Sequence, residues 1–421
     1  MPRPDPPRRI FVWHGYLLGG TGSNIYARQL AREWSRSGHD VTVFSQEAEP
    51  ERYDLGSATA VRPDVGGLLP VFVLDRYPGY EVKRLQECAR AELDDWVEAN
   101  AAALRAHGPA DLIYVNHVLL GGAVGAASGG RYVVKAHGSE LEYSMRGNAE
   151  LSAWGGEVLA AARATIVGSE HIRNVVREVC GTVENVHEVP PGVDVELWRP
   201  APKAEALASL LAEARLDPPN PGSANERLPD DGNATRLEKF LAGDRPTVVY
   251  YGKLIENKGV QVLLEALRGL DARAVVVGFG EYRDELENQA AGLDVLFTGP
   301  LDHRHLVHLL ALADVAVVPS IFPEAFGMVA AEAAAAGCPP IVANHSGLAE
   351  VARGLEEDYP RGLGDLASFP SGDAAALRER LQQVLALRGD EREALRAAAR
   401  TAAVERWSWT SVATQILSVV E

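Results

Sequence analysis

The stretch that decides the fold runs from Pro319 to Gly337 and reads PSIFPEAFGMVAAEAAAAG. Residues 315–318 before it are all apolar and predict a short, buried, parallel strand. After two prolines and Glu324 the chain reaches Gly327, and the alanine-rich segment beyond predicts a helix that ends at Gly337. The order is strand, loop, helix. Open α/β sheets bind their ligands in such loops, outside the carboxyl ends of the strands.

The start of this helix is suited to binding a phosphate group. The backbone N–H groups of Gly327, Met328 and Val329 have no partners within the helix, and together with the helix dipole they favour an anion. Glu324 and Glu332 stand on either side of this point, eight residues apart. A carboxylate accepts two hydrogen bonds from a vicinal diol, so this pair suits the hydroxyls of two sugars beside an anion site.

Together these residues form the pattern PS-x3-E-x-FG-x4-E-x4-G, which resembles the retaining GT-B glycosyltransferases of family GT4. The resemblance implies an α/β fold of two Rossmann-like, doubly wound domains that face each other across a cleft. It implies transfer of a hexose from a nucleotide-diphosphate sugar with retention of anomeric configuration. In that family's arrangement Glu332 holds the ribose diol, Glu324 holds the donor sugar's hydroxyls, and Phe326 lies in the same donor-binding stretch.

The first residues predict a doubly wound βαβ unit around the glycine-rich loop HGYLLGGTGSN. This loop lacks the third glycine and the closing acid of a dinucleotide-binding fingerprint. It resembles the opening of the same family, where Gly20 lets substrate or a donor phosphate approach the backbone. Further on, His137 in the segment HGSE matches the family's active-site histidine, which implies a contact to the transferring sugar. His117, after the strand 112–115, is a further candidate, with a structural role as the alternative.

In the second half, YYGKLIENKG resembles the family's V-G-R-L-x-x-x-K-G segment. Lys253, in place of arginine, and Lys258 are expected to neutralise the diphosphate, although lysine acts as a point charge where arginine grips two oxygens. Gly278 and Leu301 match positions where the family's backbone approaches the nucleotide. Ser346 replaces a family glycine and is expected to narrow the loop beside the donor sugar.

The resemblance therefore implies two sets of site residues. The expected catalytic residues are His137, Glu324 and Lys258. The expected donor-binding residues are Gly20, Lys253, Lys258, Gly278, Leu301, Glu324, Phe326, Gly327, Met328, Val329 and Glu332. Neither a cofactor nor a metal is expected, because no D-x-D triplet occurs in the sequence and the His303-Arg304-His305 cluster lacks a cysteine or carboxylate at ligand spacing.

The length of 421 residues suits two domains of ordinary size. The resemblance places an acceptor-binding domain at 1–195, a nucleotide-sugar-binding domain at 196–405, and a helix at 406–421 that crosses back to the first domain. Residues 217–246 are rich in Pro, Gly, Asn and Asp, and their composition predicts a flexible insertion outside both cores.

Composition excludes several classes of protein. The net charge of −17 does not fit a nucleic-acid-binding protein. No apolar run is long enough for a membrane span, and no apolar segment follows the N-terminus as in a signal peptide. Peripheral contact with a membrane surface stays open, with Arg8-Arg9 as the one clustered basic candidate near the start. Three widely spaced cysteines form no disulfide pattern, and a reducing cytoplasm is the expected location.

Two other functions are also compatible with this sequence. One is a nucleotide-sugar epimerase on the same fold, which needs no acceptor. The other is a catalytically silent member that binds nucleotide sugars, consistent with the Lys253 and Ser346 departures. A UDP-sugar is the favoured donor on family frequency. The sequence indicates neither the acceptor nor the oligomeric state.

Overall fold

The computed structural model describes residues 6–73, 77, 79–221 and 227–420. The chain divides into two compact units, one formed by Met1–Gly192 with Trp409–Glu421 and the other by Val193–Ser408. These limits lie a few residues from the domain boundaries at 195 and 405 that the sequence predicts.

The first unit is built on parallel strands. They are β1 Arg9–Trp13, β2 Asp40–Phe44, β3 Thr59–Val61, β4 Leu68–Val71, β5 Glu81–Arg84, β6 Leu112–Asn116, β7 Tyr132–Lys135, β8 Ala164–Val167 and β9 Val186–Glu188. The main sheet has the order β3-β2-β1-β6-β7-β8-β9, and β4 pairs with β5 in a separate ribbon. The order reverses between β1 and β6, so the loops after these strands diverge to opposite sides and leave a crevice at their carboxyl ends.

Helices connect β1 to β2, β5 to β6, β6 to β7, β7 to β8 and β8 to β9, because a strand that pairs in parallel with the next one needs a crossover. They are α1 Gly22–Arg36, α2 Arg90–Ala106, α3 Gly121–Ala127, α4 Ala149–Ala161 and α5 Glu170–Cys180. Strand β5 and the 3₁₀ turn Leu85–Glu87 precede α2. Residues 74–76 and 78 lie outside the described part of the chain.

The second unit repeats the doubly wound plan. Its strands are β10 Thr247–Tyr251, β11 Arg273–Val277, β12 Val295–Phe297, β13 Val315–Val318, β14 Pro340–Ala343 and β15 Ser368–Phe369. All pairings are parallel, and the order is β12-β11-β10-β13-β14-β15. This order reverses between β10 and β13. The predicted α/β class with two Rossmann-like domains is confirmed.

Nine helices within the described residues cover this sheet. They are α6 Lys203–Ala214, α7 Asn233–Phe240, α8 Val260–Leu267, α9 Arg283–Gln289, α10 His303–Leu312, α11 Met328–Ala335, α12 Ser346–Asp358, α13 Ala374–Ala386 and α14 Gly389–Trp407. Helix α11 is the alanine-rich helix predicted from the sequence. Ala330, Ala331 and Ala333–Ala335 are all completely buried, because their small side chains let α11 lie deep against the sheet and α14.

The last helix, α15 Trp409–Val419, belongs to the first unit. It packs on α1, where the Trp34 indole N–H donates to the Ala413 carbonyl at 3.1 Å. Ile416 is fully buried in this contact. Across the described residues, every helix is too short or too polar to cross a bilayer.

The segment 217–246 differs from the predicted flexible insertion wherever it is described. It contains helix α7, whose Leu237 is fully buried in the core of the second unit together with Leu241. Asp230 anchors the start of this region: its N–H donates to the Thr298 carbonyl at 2.9 Å, and its carboxylate takes Arg283 at 2.7 and 2.9 Å. The polar composition of the segment led to the prediction of a flexible insertion, although Leu237 and Leu241 stand at helical spacing within it.

We expect Asp230→Ala to lower the free energy of unfolding by about 1–3 kcal/mol, because Arg283 and Arg236 lose a half-buried acceptor. Burial alone would raise the pKa of Asp230, but the two arginines outweigh it and hold this pKa below its usual value. The stabilisation is therefore present at neutral pH and is lost as the pH falls from the ordinary aspartate value through the lowered pKa of Asp230.

Urea unfolding at pH 7 and at pH 3 measures both effects. Glu238→Ala is the matched control, since Glu238 is an exposed carboxylate on α7. A variant of Asp230 as stable as the control at pH 7 would show that the segment is not anchored.

Candidate active site

Two loops meet at the reversal point of the second sheet. One follows β10 and covers residues 252–259, and the other follows β13 and covers residues 319–327. The Ile321 N–H and the Ser320 hydroxyl both donate to the Asn257 carbonyl, at 3.0 and 3.2 Å. The loops that carry the predicted lysines and glutamates are therefore tied to each other by backbone groups.

Gly259 makes this approach possible. It has a φ of +71°, and a Cβ atom there would overlap the Pro319 carbonyl oxygen. Only a residue without a side chain satisfies both requirements at low cost. The same glycine begins α8, so it fixes the end of the short 3₁₀ turn Glu256–Lys258 and with it the position of Lys258.

Lys258 and Glu324 are brought together by this junction. The Lys258 Nζ contacts Glu324 Oε1 in an ion pair whose side chains are 32% and 23% exposed. The two residues expected to bind a diphosphate and a sugar thus neutralise each other in the ligand-free protein. Lys253, by contrast, is exposed, and its side chain makes no hydrogen bond to the described residues.

Glu332 lies further along α11, beside the end of β10. The Tyr251 hydroxyl lies 2.7 Å from Glu332 Oε2 and 3.0 Å from the Val329 carbonyl. Burial raises the pKa of Glu332 to about 7, although the hydrogen bond from Tyr251 acts in the opposite direction. This carboxyl group is therefore near half-protonation at neutral pH, and a ligand that donates hydrogen bonds favours its charged form.

The helix start predicted as an anion site is present. Helix α11 begins at Met328 after Gly327, whose φ is +121°. Met328 and Val329 are half-buried, so the first turn of the helix is not sealed within the core. The N–H groups of this turn and the charge of Lys258 lie on the two loops that meet at Gly259. This is an arrangement that suits a phosphate.

Three other predicted donor-binding residues have different surroundings. Phe326 is buried, with its ring 6.0 Å from that of Trp407, and Leu301 is also buried in the core. Their side chains serve packing, which leaves only their backbone for a ligand. Gly278 has a φ of +147°, and a Cβ there would overlap the Gly252 carbonyl. It therefore joins the ends of β10 and β11.

In the first unit, polar residues follow three adjacent strands. His14 follows β1, Asn116 and His117 stand at the end of β6, and His137 follows β7. His137 Nε2 lies 2.8 Å from Asn116 Oδ1, and its ring centroid is 4.7 Å from that of His117. The Asn116 amide donates to the Trp13 carbonyl, so its oxygen faces His137, which must donate from Nε2. Nδ1 of His137 is then an acceptor.

Glu140 is the anchor of this histidine cluster, and its role was missed in the sequence. Its fully buried carboxylate accepts the His137 backbone N–H at 3.0 Å and lies 3.2 Å from His117 Nδ1. Burial alone would raise the pKa of Glu140, but His117 and these hydrogen bonds hold it below its usual value. Its position three residues after His137 in HGSE was the available signal.

Most side chains of this cluster are buried, and burial lowers the pKa of its basic groups His14, Lys135 and His137. Burial and the neighbouring His117, Lys135 and His14 hold the pKa of His137 well below its usual value. Burial lowers the pKa of His14 to about 3 and that of Lys135 to about 7. At neutral pH the ring of His137 is neutral. It can accept a hydrogen bond from a hydroxyl but cannot neutralise a phosphate.

Gly20 lies in the loop between β1 and α1 of the first unit. It is exposed with a φ of +93°, and a Cβ there would meet no protein atom. The adjacent Thr21 caps α1, accepting the Asn24 N–H at 3.4 Å, while the Asn24 side chain lies 2.7 Å from His14 Nε2. The loop is therefore connected to the histidine cluster through Asn24.

Of the α10 histidines, His305 is fully buried and serves helix packing, whereas His303 is exposed. Arg304 pairs with Asp217 at 2.6 Å and with Glu213 at 2.8 Å, and His305 Nε2 lies 3.0 Å from Asp217 Oδ1. Among the residues described, no group of three or more histidine, cysteine or acidic side chains is arranged to hold a metal ion.

We expect Gly259→Ala to destabilise the second unit by about 2–4 kcal/mol, because the new methyl group adds overlap to left-handed strain. Gly269→Ala is the matched control. It has a φ of +81° but open space around the Cβ position, so it reports the strain alone. Chemical denaturation measures both, and equal losses would show that the loop junction is not tight.

Comparison with known proteins gives the same division of the chain. The family model described as Glycosyltransferase Family 4 matches residues 20–197, and the model described as Glycosyl transferases group 1 matches residues 233–402. The first match falls in the first structural unit, apart from its last residues, and the second falls wholly in the second unit.

One curated relative matches most of the chain, and another matches less than half of it. It is 28% identical to a D-inositol 3-phosphate glycosyltransferase of Xylanimonas cellulosilytica, over 94% of this chain and 91% of that protein. It is 37% identical to a phosphatidyl-myo-inositol mannosyltransferase of Mycobacterium leprae, over 42% of this chain and 46% of that protein.

Solved structures show the same fold at low identity. A sucrose-phosphate synthase from Thermosynechococcus elongatus matches with a TM-score of 0.62 and 22% identity, covering 98% of each chain. HepE of Anabaena, in complex with UDP and glucose, matches with a TM-score of 0.64 and 17% identity, covering 98% of this chain and 99% of that one. With both units matched by its models, the chain belongs to family GT4 of the glycosyltransferases and is an enzyme of that class.

Proposed function

We propose that this enzyme transfers a hexose from a nucleotide-diphosphate sugar to a hydroxyl acceptor, with retained anomeric configuration and without a divalent metal. The observation that carries the proposal is the junction at Gly259, which gathers Lys258, Glu324 and the start of α11 at the reversal point of the second sheet. The donor diphosphate binds at the first turn of α11, with Lys258 and the exposed Lys253 as counter-charges.

The ribose of the donor lies at Glu332. Its two hydroxyls donate to the carboxylate, and Tyr251 fixes that carboxylate by a hydrogen bond of 2.7 Å. A pKa of about 7 in the free protein means that part of the binding energy is used to deprotonate Glu332 at neutral pH. The buried tyrosine and the half-buried glutamate thus form a site whose strength depends on pH.

Donor binding opens the ion pair between Lys258 and Glu324. The lysine turns to the diphosphate, and the glutamate accepts hydrogen bonds from the donor sugar. Since both side chains are partly exposed, the pair is weak enough to exchange for these contacts. The pair keeps both groups in place before the donor arrives.

His137 is assigned to the donor sugar on the family pattern. Its neutral ring, with Nε2–H held by Asn116, offers Nδ1 as an acceptor for a sugar hydroxyl. This role needs no proton transfer.

Retention needs no protein nucleophile in this arrangement. The acceptor oxygen forms a bond to the anomeric carbon on the face from which the diphosphate leaves. As the bond to the leaving phosphate breaks, a phosphate oxygen takes the acceptor's proton. The developing negative charge is met by Lys258, Lys253 and the N–H groups of α11, and preorganised donors of this kind are worth roughly 3 kcal/mol each in turnover.

Two classes of donor and two acceptors are the first substrates to test. UDP-hexoses remain our favoured donors, and the Anabaena neighbour binds UDP and glucose. A GDP-mannose-dependent relative makes GDP-mannose the alternative donor. D-inositol 3-phosphate and phosphatidylinositol are the first acceptors, after the relatives named for them.

The reaction class is tested with this panel in excess EDTA, with the product anomer determined by NMR. We expect full activity and a retained configuration. Loss of activity in EDTA that Mg²⁺ or Mn²⁺ restores would overturn the metal-free mechanism, and an inverted product would overturn retention. A transferase releases free nucleotide diphosphate only when an acceptor is present, whereas an epimerase consumes the donor without an acceptor. This measurement therefore distinguishes the two reactions. Nucleotide binding without turnover on any donor would indicate a silent member.

The two glutamates have separate expected effects. Glu332→Ala should weaken binding of the free nucleotide diphosphate by about 1–3 kcal/mol, because the ribose diol loses its acceptor. Glu324→Ala should leave that affinity intact and lower kcat, because its partner is the sugar. Calorimetry and steady-state kinetics measure the two effects, and equal loss of nucleotide affinity in both variants would contradict this assignment.

The affinity for the nucleotide should also rise between pH 6 and pH 8. The diol donates to the charged form of Glu332, whose pKa is about 7, so binding is stronger once that proton is lost. Glu332→Gln is the isosteric control and should remove this contribution. A pH profile unchanged by this substitution would assign the dependence to the phosphate instead.

A further inference from the structure

A series of hydrogen bonds from the start of α12 holds the backbone of Glu324. The Glu324 N–H donates to Ser346 Oγ at 2.9 Å, and the Gly347 N–H donates to the Glu324 carbonyl at 3.0 Å. Ser346 Oγ lies 3.0 Å from His345 Nδ1, and His345 Nε2 lies 2.7 Å from the Ser320 carbonyl. The start of α12 thus grips the loop 319–327 at both Ser320 and Glu324.

The direction of each bond is fixed by its neighbours. The Ser320 carbonyl can only accept, so His345 carries its proton on Nε2 and donates it there. His345 Nδ1 is then an acceptor, and it takes the Ser346 hydroxyl proton. This leaves a lone pair of Ser346 Oγ for the Glu324 N–H. Each polar atom in this series of hydrogen bonds then has a partner.

Ser346 adopts a backbone conformation that serine seldom takes. Its φ is +48°, in the left-handed region where a glycine carries no penalty. Residues other than glycine persist in such conformations only where the surrounding structure holds them there, and they concentrate at functional sites. Serine at this position therefore adds strain, and what it adds in return is the hydroxyl that binds Glu324.

The loop 319–327 packs directly against the start of α12, with no room for a side chain at Gly347. A Cβ at Gly347 would come within 2.6 Å of the Ala325 carbonyl and of the Phe326 Cα atom. Gly347 therefore lets α12 approach the backbone next to Glu324, and Ser346 converts that approach into a hydrogen bond. Narrowing of the loop beside a sugar by Ser346 stays a prediction, and its hydroxyl has a further contact, the Glu324 N–H.

We propose that Ser346 and His345 are positioning residues that set the place of Glu324 for turnover without contributing to nucleotide affinity. The role rests on the proposed function of Glu324 as a contact to the donor sugar. The pair acts only through the loop, whereas the nucleotide is held by Glu332, Lys258 and α11.

Ser346→Gly and Ser346→Ala separate positioning from stability. Both remove the hydroxyl, so both should lower kcat by about ten- to a hundredfold, the scale of loss from a small misplacement of a substrate contact. Their affinities for UDP or GDP should be unchanged. Both variants lose the hydrogen bond to Glu324, but only the glycine variant also relieves the left-handed strain. The melting temperature of the alanine variant should therefore fall, while that of the glycine variant should not.

His345 provides the conservative rescue. His345→Asn places an amide near the position of Nδ1 and should retain more turnover than His345→Ala, which offers Ser346 no partner. Ser368→Ala is the matched control. The Ser368 hydroxyl donates to Glu356 of α12 at 3.3 Å, without contact to the loop, and this variant should keep the native kcat.

Hydrogen exchange tests the contact independently of activity. The Glu324 amide should be protected in the native protein and exposed in both Ser346 variants, measured by mass spectrometry on peptides from 320–327. Native protection in Ser346→Gly would overturn the hydrogen bond, and lost protection with native kcat would overturn the positioning role. If the native enzyme turns over no donor, the proposed function fails, and the exchange result still decides whether Ser346 holds the loop.

Discussion

The site in the second unit depends on one close approach of backbone to backbone. At the reversal point of the sheet, Gly259 lies against the Pro319 carbonyl with no room for a side chain. Two bonds to Asn257 and the turn before α8 then place Lys258 beside Glu324. Because these links use main-chain atoms, the Ser320 hydroxyl and a glycine, the charged side chains need not hold the loops together. They are left available for a ligand.

The two units use charge in opposite ways. In the second unit, Lys253 and Lys258 lie at or near solvent, so they can exchange partners with a ligand. In the first, burial favours neutral groups: His14 and His137 are neutral, and Glu140 keeps its charge because His117 and the hydrogen bonds around the carboxylate outweigh desolvation. Anion binding suits the former environment, and recognition of hydroxyls suits the latter.

Departures from the family pattern fit this division. Lysine at 253 keeps a positive charge without the fixed geometry of arginine, and its exposed side chain has no packing role. Serine at 346 costs backbone strain but supplies a donor and an acceptor where glycine has neither. The polar segment 217–246 likewise adds an anchor, since Asp230 joins Arg283 to the end of strand β12. Each change is local, and the sheet order is unaffected.

The sequence by itself determined the doubly wound class, the strands ending at Tyr251 and Val318, and the helix after Gly327, because apolar runs and glycines specify local conformation directly. Tertiary structure alone decided which polar groups meet. Glu140 under the histidines, Ser346 behind Glu324 and Asp230 on Arg283 are contacts set by packing between elements. It also showed that Leu237 is core within a segment of disordered composition, because burial depends on what the neighbouring strands leave uncovered, and local composition does not encode that.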